Sequence, residues 1–200
     1  VSPTPESFFE AVLKGPRLVL RPYLEERDLE NIAGLFQDPR VTGPIGMPDG
    51  SCPLDKVRDA KRARGASEDA GDWTVFATTA EGEAFVGETG IAGWNAETHV
   101  VEVFAAISPE YMGMAYGREA VSLLLEHIWR RSPVATARVQ ALSTNRHALR
   151  LAVSLGFRET GRRFVPPDPI TGFPGGAGVM LDCRQHEFKP FRLQKQEPGG

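Results

Sequence analysis

AETHVVEVFAAISPEYMGMAYGREA, Ala96 to Ala120, joins three elements in an order that decides the fold. An apolar strand, Val100 to Ile107, stops at Ser108-Pro109. A short loop with Gly113 and Gly117 follows, and a helix is predicted from about Ala115 through REAVSLLLEHIWRR. A helix start carries free backbone N–H groups and the positive end of the helix dipole. Small residues in front of it let an anion approach the main chain closely. The segment therefore predicts a site for a phosphate-bearing cofactor.

On either side of this segment the periodicities alternate. Arg17 to Tyr23 reads as a strand and Glu25 to Phe36 as a helix with Leu29, Ile32, Ala33, Leu35 and Phe36 on one stripe. Asp38 to Pro53 is rich in Gly and Pro and reads as loop; Leu54 to Arg64 is a charged helix with a thin apolar face. Trp73 to Thr79 and Ala84 to Trp94 form a hairpin, the second strand holding Gly87, Gly90 and Gly93, which mark bulges or close backbone approach. Beyond the central helix come a strand at Ala137 to Leu142 and a helix at Asn145 to Leu155 closed by Gly156. A strand at Phe157 to Phe164, a breaker-rich loop at Val165 to Gly178 and a last strand at Val179 to Cys183 complete the pattern. The sum is an α+β fold: a mixed, mostly antiparallel sheet of six to seven strands with helices on both faces. No GxGxxG followed by a ribose-binding acid is present, so a doubly wound dinucleotide fold is excluded.

Two hundred residues suit one domain. Residues 1–16 read as a lead-in, 17–188 as the domain and 189–200 as a disordered tail. A net charge of −3 without a basic block argues against a nucleic-acid partner. No window has the apolar length of a membrane span, and no secretory signal is visible at the start, so a cytoplasmic location is expected. Cys52 and Cys183 are then expected as reduced thiols.

Four pieces resemble the Gcn5-related N-acetyltransferase superfamily, in its ribosomal-protein-alanine acetyltransferase-like branch. RLVLRPYLEERDLENIAGLF is similar to the opening strand and helix, FVGETGIAGW to the central strand, ISPEYMGMAYGREAVSLLLEHIW to the acetyl-CoA motif, and TNRHALRLAVSLGFRETGR to the following Asn-containing helix and strand. The resemblance spans about Arg17 to Cys183. It implies acetyl transfer from acetyl-CoA to an amine without a metal, and it is compatible with a homodimer. The family's pyrophosphate loop runs Arg/Gln, two residues, Gly, one residue, Gly/Ala. Those positions fall on Met112, Gly113, Met114, Ala115, Tyr116 and Gly117, so the basic first residue is absent and the key glycine is an alanine. Arg118 is the candidate to replace the lost charge. The resemblance also implies that backbone of Val103, Phe104 and Ala105 borders the thioester, on a bulged strand that splays from the next. Asn145 would hydrogen-bond the pantetheine, besides capping its helix.

Amine acetylation needs a polarised carbonyl, a neutral amine and a stabilised leaving thiolate. Glu102, among apolar neighbours on the same strand, is the candidate base; Glu88 in VGETG competes with it, and either can instead be structural. The acid positions of the family fall on Ala148 and Ala152, so either Tyr111, Tyr116 or water protonates the thiolate or it leaves unprotonated. Trp73, Trp94 and Phe85 are expected as core or pocket walls. Asp49, Asp55, Glu68, Asp69 and Asp72 lie in the region that covers the acceptor in this family. Three functions follow: acetylation of a small amine such as an amino sugar or aminoglycoside-like antibiotic, acetylation of a peptide N-terminus, or non-catalytic acyl-CoA binding.

Overall fold

A computed structural model describes residues 8–47, 52–95, 97–167 and 175–193. Its strands are β1 (Leu13–Lys14), β2 (Leu18–Pro22), β3 (Gly71–Thr79), β4 (Gly82–Asn95), β5 (Val100–Ile107), β6 (Thr136–Leu142), β7 (Arg158–Val165) and β8 (Gly176–Arg184). They form one sheet of eight strands in the order β1-β2-β3-β4-β5-β6-β8-β7. Every pairing is antiparallel except β5 with β6, which run parallel because α4 (Tyr116–Arg131) crosses between them. The other helices are α1 (Glu25–Leu35), α2 (Pro39–Thr42), α3 (Leu54–Gly65) and α5 (Arg146–Ser154).

Helices cover both faces. On one, Ala120, Leu124, Leu125 and Ile128 of α4, with Leu155 and Phe157 after α5, pack on Leu18, Leu20, Trp73, Val75, Val101 and Val103. On the other, Leu29, Ile32 and Ala33 of α1 and Val57 of α3 enclose a smaller core with Met47, Cys52 and Phe85. Burial of these side chains supplies the main driving force for the fold. The first turn of α1 is acidic, which suits the helix dipole. Its Asp28 carboxylate accepts from Leu24 N–H at 2.9 Å and from the Thr74 hydroxyl at 2.8 Å, tying the helix start to β3.

A bulge sets which β4 residues face the smaller core. Val75 pairs with Gly87 and Phe76 with Phe85, so Val86 is an extra residue. The insertion shifts the two-residue alternation, and Phe85 and Glu88 therefore share a face. Gly87 holds φ 152° there, and a Cβ on it would lie 2.1 Å from the Ala106 carbonyl oxygen.

Several boundaries differ from the sequence expectation. Among the described residues the sheet has eight strands where six to seven are expected, because Leu13 and Lys14 pair with Leu20 and Val19. A strand of two residues has no alternation to read. The expected loop at 38–53 contains α2 and a 3₁₀ turn, Gly43–Ile45. Asp38 caps α2 by accepting Arg40 N–H at 2.8 Å, with Pro39 in the first turn; Asp-Pro is a helix-start signal that the glycines masked. β8 begins at Gly176, inside the expected 165–178 loop, and residues 168–174 lie outside the described residues. In the stretch read as lead-in, Phe8 is buried against His127 and Trp94. In the stretch read as tail, Phe191 N–H donates to Ser122 Oγ at 2.9 Å; residues 194–200 lie outside the described residues.

Candidate active site

β5 and β6 pair only from Val100–Thr136 to Glu102–Arg138. Both strands continue, β5 to Ile107 and β6 to Leu142, so beyond Glu102 they part. Val103, Phe104 and Ala105 thus border a gap, and main-chain groups on that edge lack a ladder partner. A bulge was expected on β5. It lies instead on β4: Ile91 pairs with Val103 and Gly93 with Glu102, leaving Ala92 extra. Three valines keep β5 regular, whereas Gly93 beside Ala92 has no side chain to pack, and even a Cβ there would meet nothing within 4 Å.

The chain leaves β5 through a 3₁₀ turn, Pro109–Tyr111, and reaches α4 by two left-handed residues, Gly113 at φ 84° and Ala115 at φ 62°. Ala115 holds the conformation of the glycine it replaces, at a cost on the order of 1 kcal/mol. The first helical bond runs from Glu119 N–H to the Ala115 carbonyl at 3.1 Å, so the N–H groups of Tyr116, Gly117 and Arg118 have no helical acceptor. Gly117 lets this end dock: a Cβ would lie 3.0 Å from Leu151 and 3.2 Å from Ile107. Met112 and Met114 are exposed at the loop surface. Arg118 turns towards α5, donating to the Ser154 carbonyl at 3.2 Å. A second cation, unforeseen from sequence, also reaches the loop. Arg17 donates to the Met114 carbonyl at 3.1 Å, lies 4.6 Å over the Tyr116 ring and pairs with buried Glu119 at 2.7 Å. Tyr111 and Tyr116 sit side by side at this loop, ring centres 5.9 Å apart.

Asn145 stands across the gap, after β6. It is the N-cap of α5, its Oδ1 accepting Ala148 N–H at 3.1 Å. The capping half of its expected double role is therefore built, and among the described residues its NH₂ group has no partner.

The opposite face carries a cavity of about 290 Å³ between α3, the end of α1 and the sheet. Phe36, Met47, Cys52, Val57, Ala60 and Phe104 supply its apolar wall. Phe104 lies over Gly90, where a Cβ would come within 2.8 Å of its ring. At the cavity's edge four charges interlock. Lys61 Nζ contacts Glu88 Oε2 and reaches Asp72 at 3.0 Å; Arg64 grips Asp72 at 2.6 Å and donates to the Ile91 carbonyl at 2.7 Å. Burial works to lower the Lys61 pKa, but Glu88 and Asp72 outweigh it and hold the ammonium above its usual range. Burial likewise works to raise Asp72, and Lys61 and Arg64 outweigh it, keeping it low. Glu88 is pushed up by burial, against the pull of Lys61. Neither Lys61 nor Arg64 is a site candidate from sequence: the pattern puts Leu54, Val57 and Ala60 or the Lys61 stem on the thin inner face of the helix, and nothing local marks Arg64 as turned inward. Of the acids expected there, only Asp72 joins the cluster. Asp55 is exposed and pairs with Arg58, Glu68 and Asp69 are exposed, and Asp49 lies outside the described residues.

The two candidate bases share this face. Glu88 is opposite Ala106, and Glu102 is four residues back along β5, about 13 Å away along the strand. Phe104 lies midway. Glu88 is 2% exposed. Glu102 is half-buried where the strands part, and its only side-chain partner among the described residues is the Gln140 amide. Cys52 and Cys183 are both free and buried. Among the described residues no group of three or more His, Cys, Asp or Glu is placed to hold a metal, and no helix is long and apolar enough to cross a membrane.

The family description "Acetyltransferase (GNAT) domain" matches residues 17–158. The chain belongs to the GNAT acetyltransferase family. This acetyltransferase is an acyl-CoA-dependent N-acetyltransferase. No curated protein matches it in sequence. Its fold is similar to a GCN5-related N-acetyltransferase from Brucella melitensis, at 13% identity and TM-score 0.71 over 89% of this chain and 80% of that one. It is similar to a GNAT-family acetyltransferase from Bacillus anthracis, at 18% identity and TM-score 0.67 over 88% of this chain and 100% of that one. It is also similar to RimL, a ribosomal L7/L12 alpha-N-protein acetyltransferase solved with coenzyme A, at 10% identity and TM-score 0.71 over 87% of this chain and 98% of that one. At these identities the likeness is one of fold.

Proposed function

We propose that this acetyltransferase moves the acetyl group of acetyl-CoA directly onto the primary amine of a small molecule, with Glu102 as the base. The observation that carries this is the parting of β5 and β6 immediately after Glu102. The gap has free helix N–H groups on one side and an apolar cavity on the other. The fit to acetyl-CoA is supported by the left-handed turn at Gly113 and Ala115, after which the N–H groups of Tyr116 to Arg118 have no helical acceptor, and by Arg17, which is paired with Glu119 and reaches the loop at the Met114 carbonyl. Acetyl-CoA supplies the acyl group as a thioester; the remaining roles fall to the chain. Phe104 is turned to β4, its carbonyl accepting the Thr89 hydroxyl at 2.6 Å, so main-chain groups of Val103 and Ala105 are left to orient and polarise, and Asn145 donates its NH₂ across the gap.

Glu102 suits the base because its hydrogen-bond partner is a neutral amide, while Arg138, opposite it in the register, is gripped by Asp182. Glu88 touches the cavity and its pKa is raised, which favours it. Yet taking up a proton would withdraw its charge from buried Lys61, and an incoming ammonium would meet the Lys61 ammonium first. A peptide N-terminus is the alternative acceptor; it needs an open groove. Calorimetry with acetyl-CoA, followed by release of CoA across a panel of amines, tests the proposal. Binding near or below millimolar and amine-dependent CoA release are expected. A folded protein without acetyl-CoA binding would exclude it.

A further inference from the structure

Resting on acetyl transfer as just proposed, we infer that the acceptor is a compact primary amine with an apolar body, aryl or branched alkyl, seated in the Phe36–Phe104 cavity. Three observations converge. The cavity, about 290 Å³, lies at the low end of small-molecule sites, which run about 300–1,000 Å³. Its wall is the side chains of Phe36, Met47, Cys52, Val57, Ala60 and Phe104, none of which offers a strong hydrogen-bond partner to a hydroxyl-rich ligand.

The charges at its edge decide the polarity of the ligand. Lys61 and Arg64 are cations; Asp72 and Glu88 are anions; each is already in contact with an opposite partner. A polycationic amino sugar needs free carboxylates, and here both carboxylates hold internal cations. A ligand carboxylate would need Lys61 or Arg64, and both are taken. A buried ion pair yields such a partner only at high cost. What remains for recognition is apolar contact with the body of the ligand, with one amine directed along Phe104 towards the gap and Glu102. As the nitrogen lone pair forms the N–C bond, the C–S bond breaks and its electrons leave on sulfur. Of the ammonium's three protons, one passes to Glu102, one ends on the CoA thiol and one stays on the amide.

The test measures acetyl-CoA binding by calorimetry, then CoA release with phenethylamine, isoamylamine, glucosamine and a Ser-Gly-Gly tripeptide. The apolar amines are expected to exceed glucosamine and the tripeptide at least about 10-fold in kcat/KM. Ala60→Phe fills the cavity and is expected to weaken the apparent affinity for phenethylamine, read as a KM raised about 10-fold or more, leaving acetyl-CoA binding unchanged. Preference for glucosamine or the tripeptide, or no turnover of either apolar amine by a protein that binds acetyl-CoA, overturns the acceptor class. Absence of acetyl-CoA binding would instead overturn the transfer reaction itself. The wild-type panel decides between these even where Ala60→Phe does not fold.

Discussion

The two sides of β5 are built from different materials. The gap side is backbone: unpaired edges of β5, a left-handed turn and free N–H groups on α4. The cavity side is side chain: Phe36 just after α1, Met47 and Cys52, residues from α3, β4 and β5, and four charges that neutralise one another. A backbone site tolerates change in the residues that make it. The family's basic loop residue is Met112 here and its glycine is Ala115, yet the turn is kept. A side-chain site has no such freedom, since each charge in the cluster answers another.

The sharpest way to break this contrast is to remove one charge. Lys61→Met leaves Glu88 buried and Asp72 with Arg64 alone. Breaking a buried pair from one side costs about 3–5 kcal/mol, which denaturant melts will read. The double variant Lys61→Met with Glu88→Gln should recover much of that loss, because the stranded charge goes too. A cost below about 1 kcal/mol would be that of a surface pair, and the cluster would then not act as a unit.

Next in size is the base. Glu102→Gln keeps the shape and removes the basicity, so turnover should fall by about 10²-fold at neutral pH with little change in melting temperature. The loss should shrink as pH rises and free amine becomes abundant. Glu88→Gln should do the reverse, costing stability more than turnover. Should Glu88→Gln remove activity while Glu102→Gln keeps the wild-type rate and pH profile, the base is Glu88, within the charge cluster. Should neither matter, positioning of the substrates carries the rate.

The same contrast explains what the sequence disclosed. The gap side follows from element order: a strand, a small-residue loop and a helix start are visible in Val100 to Arg131, and Asn145 announces its cap by position. Glycines in β4 mark the bulges at Val86 and Ala92, although the resemblance pointed to β5 for the second. The cavity side is hidden because its members are far apart in sequence. Lys61 meets Glu88 across 27 positions and Arg64 meets Ile91 across 27, a convergence that no local pattern records. Arg17 is hidden likewise, since it acts on a loop 97 positions away. β1 is hidden for a different reason: two residues cannot show a period.

Asn145→Ala separates cap from ligand on the gap side. The cap alone is worth about 1 kcal/mol, read as a lower melting temperature. If the free NH₂ also holds the pantetheine, acetyl-CoA affinity should fall as well, and a mutant that melts earlier but binds and turns over normally would confine Asn145 to its cap.

The smallest effect expected is at Ala115, and it bears most directly on the idea of a backbone site. Alanine at φ 62° carries strain on the order of 1 kcal/mol, which glycine would relieve. Glycine also loosens the unfolded chain by about 0.4–1 kcal/mol, which offsets most of that relief. Ala115→Gly should therefore change stability by less than about 1 kcal/mol in either direction. Acetyl-CoA affinity should stay within about 2-fold, because the N–H groups that meet the anion do not depend on the Cβ. Ala115→Val is the contrast: a branched Cβ resists a left-handed φ, so the turn must open and affinity should drop with stability. Equal affinity in all three proteins would mean that the turn does not present the anion site, and the gap side would then have to bind through Arg17 and Arg118.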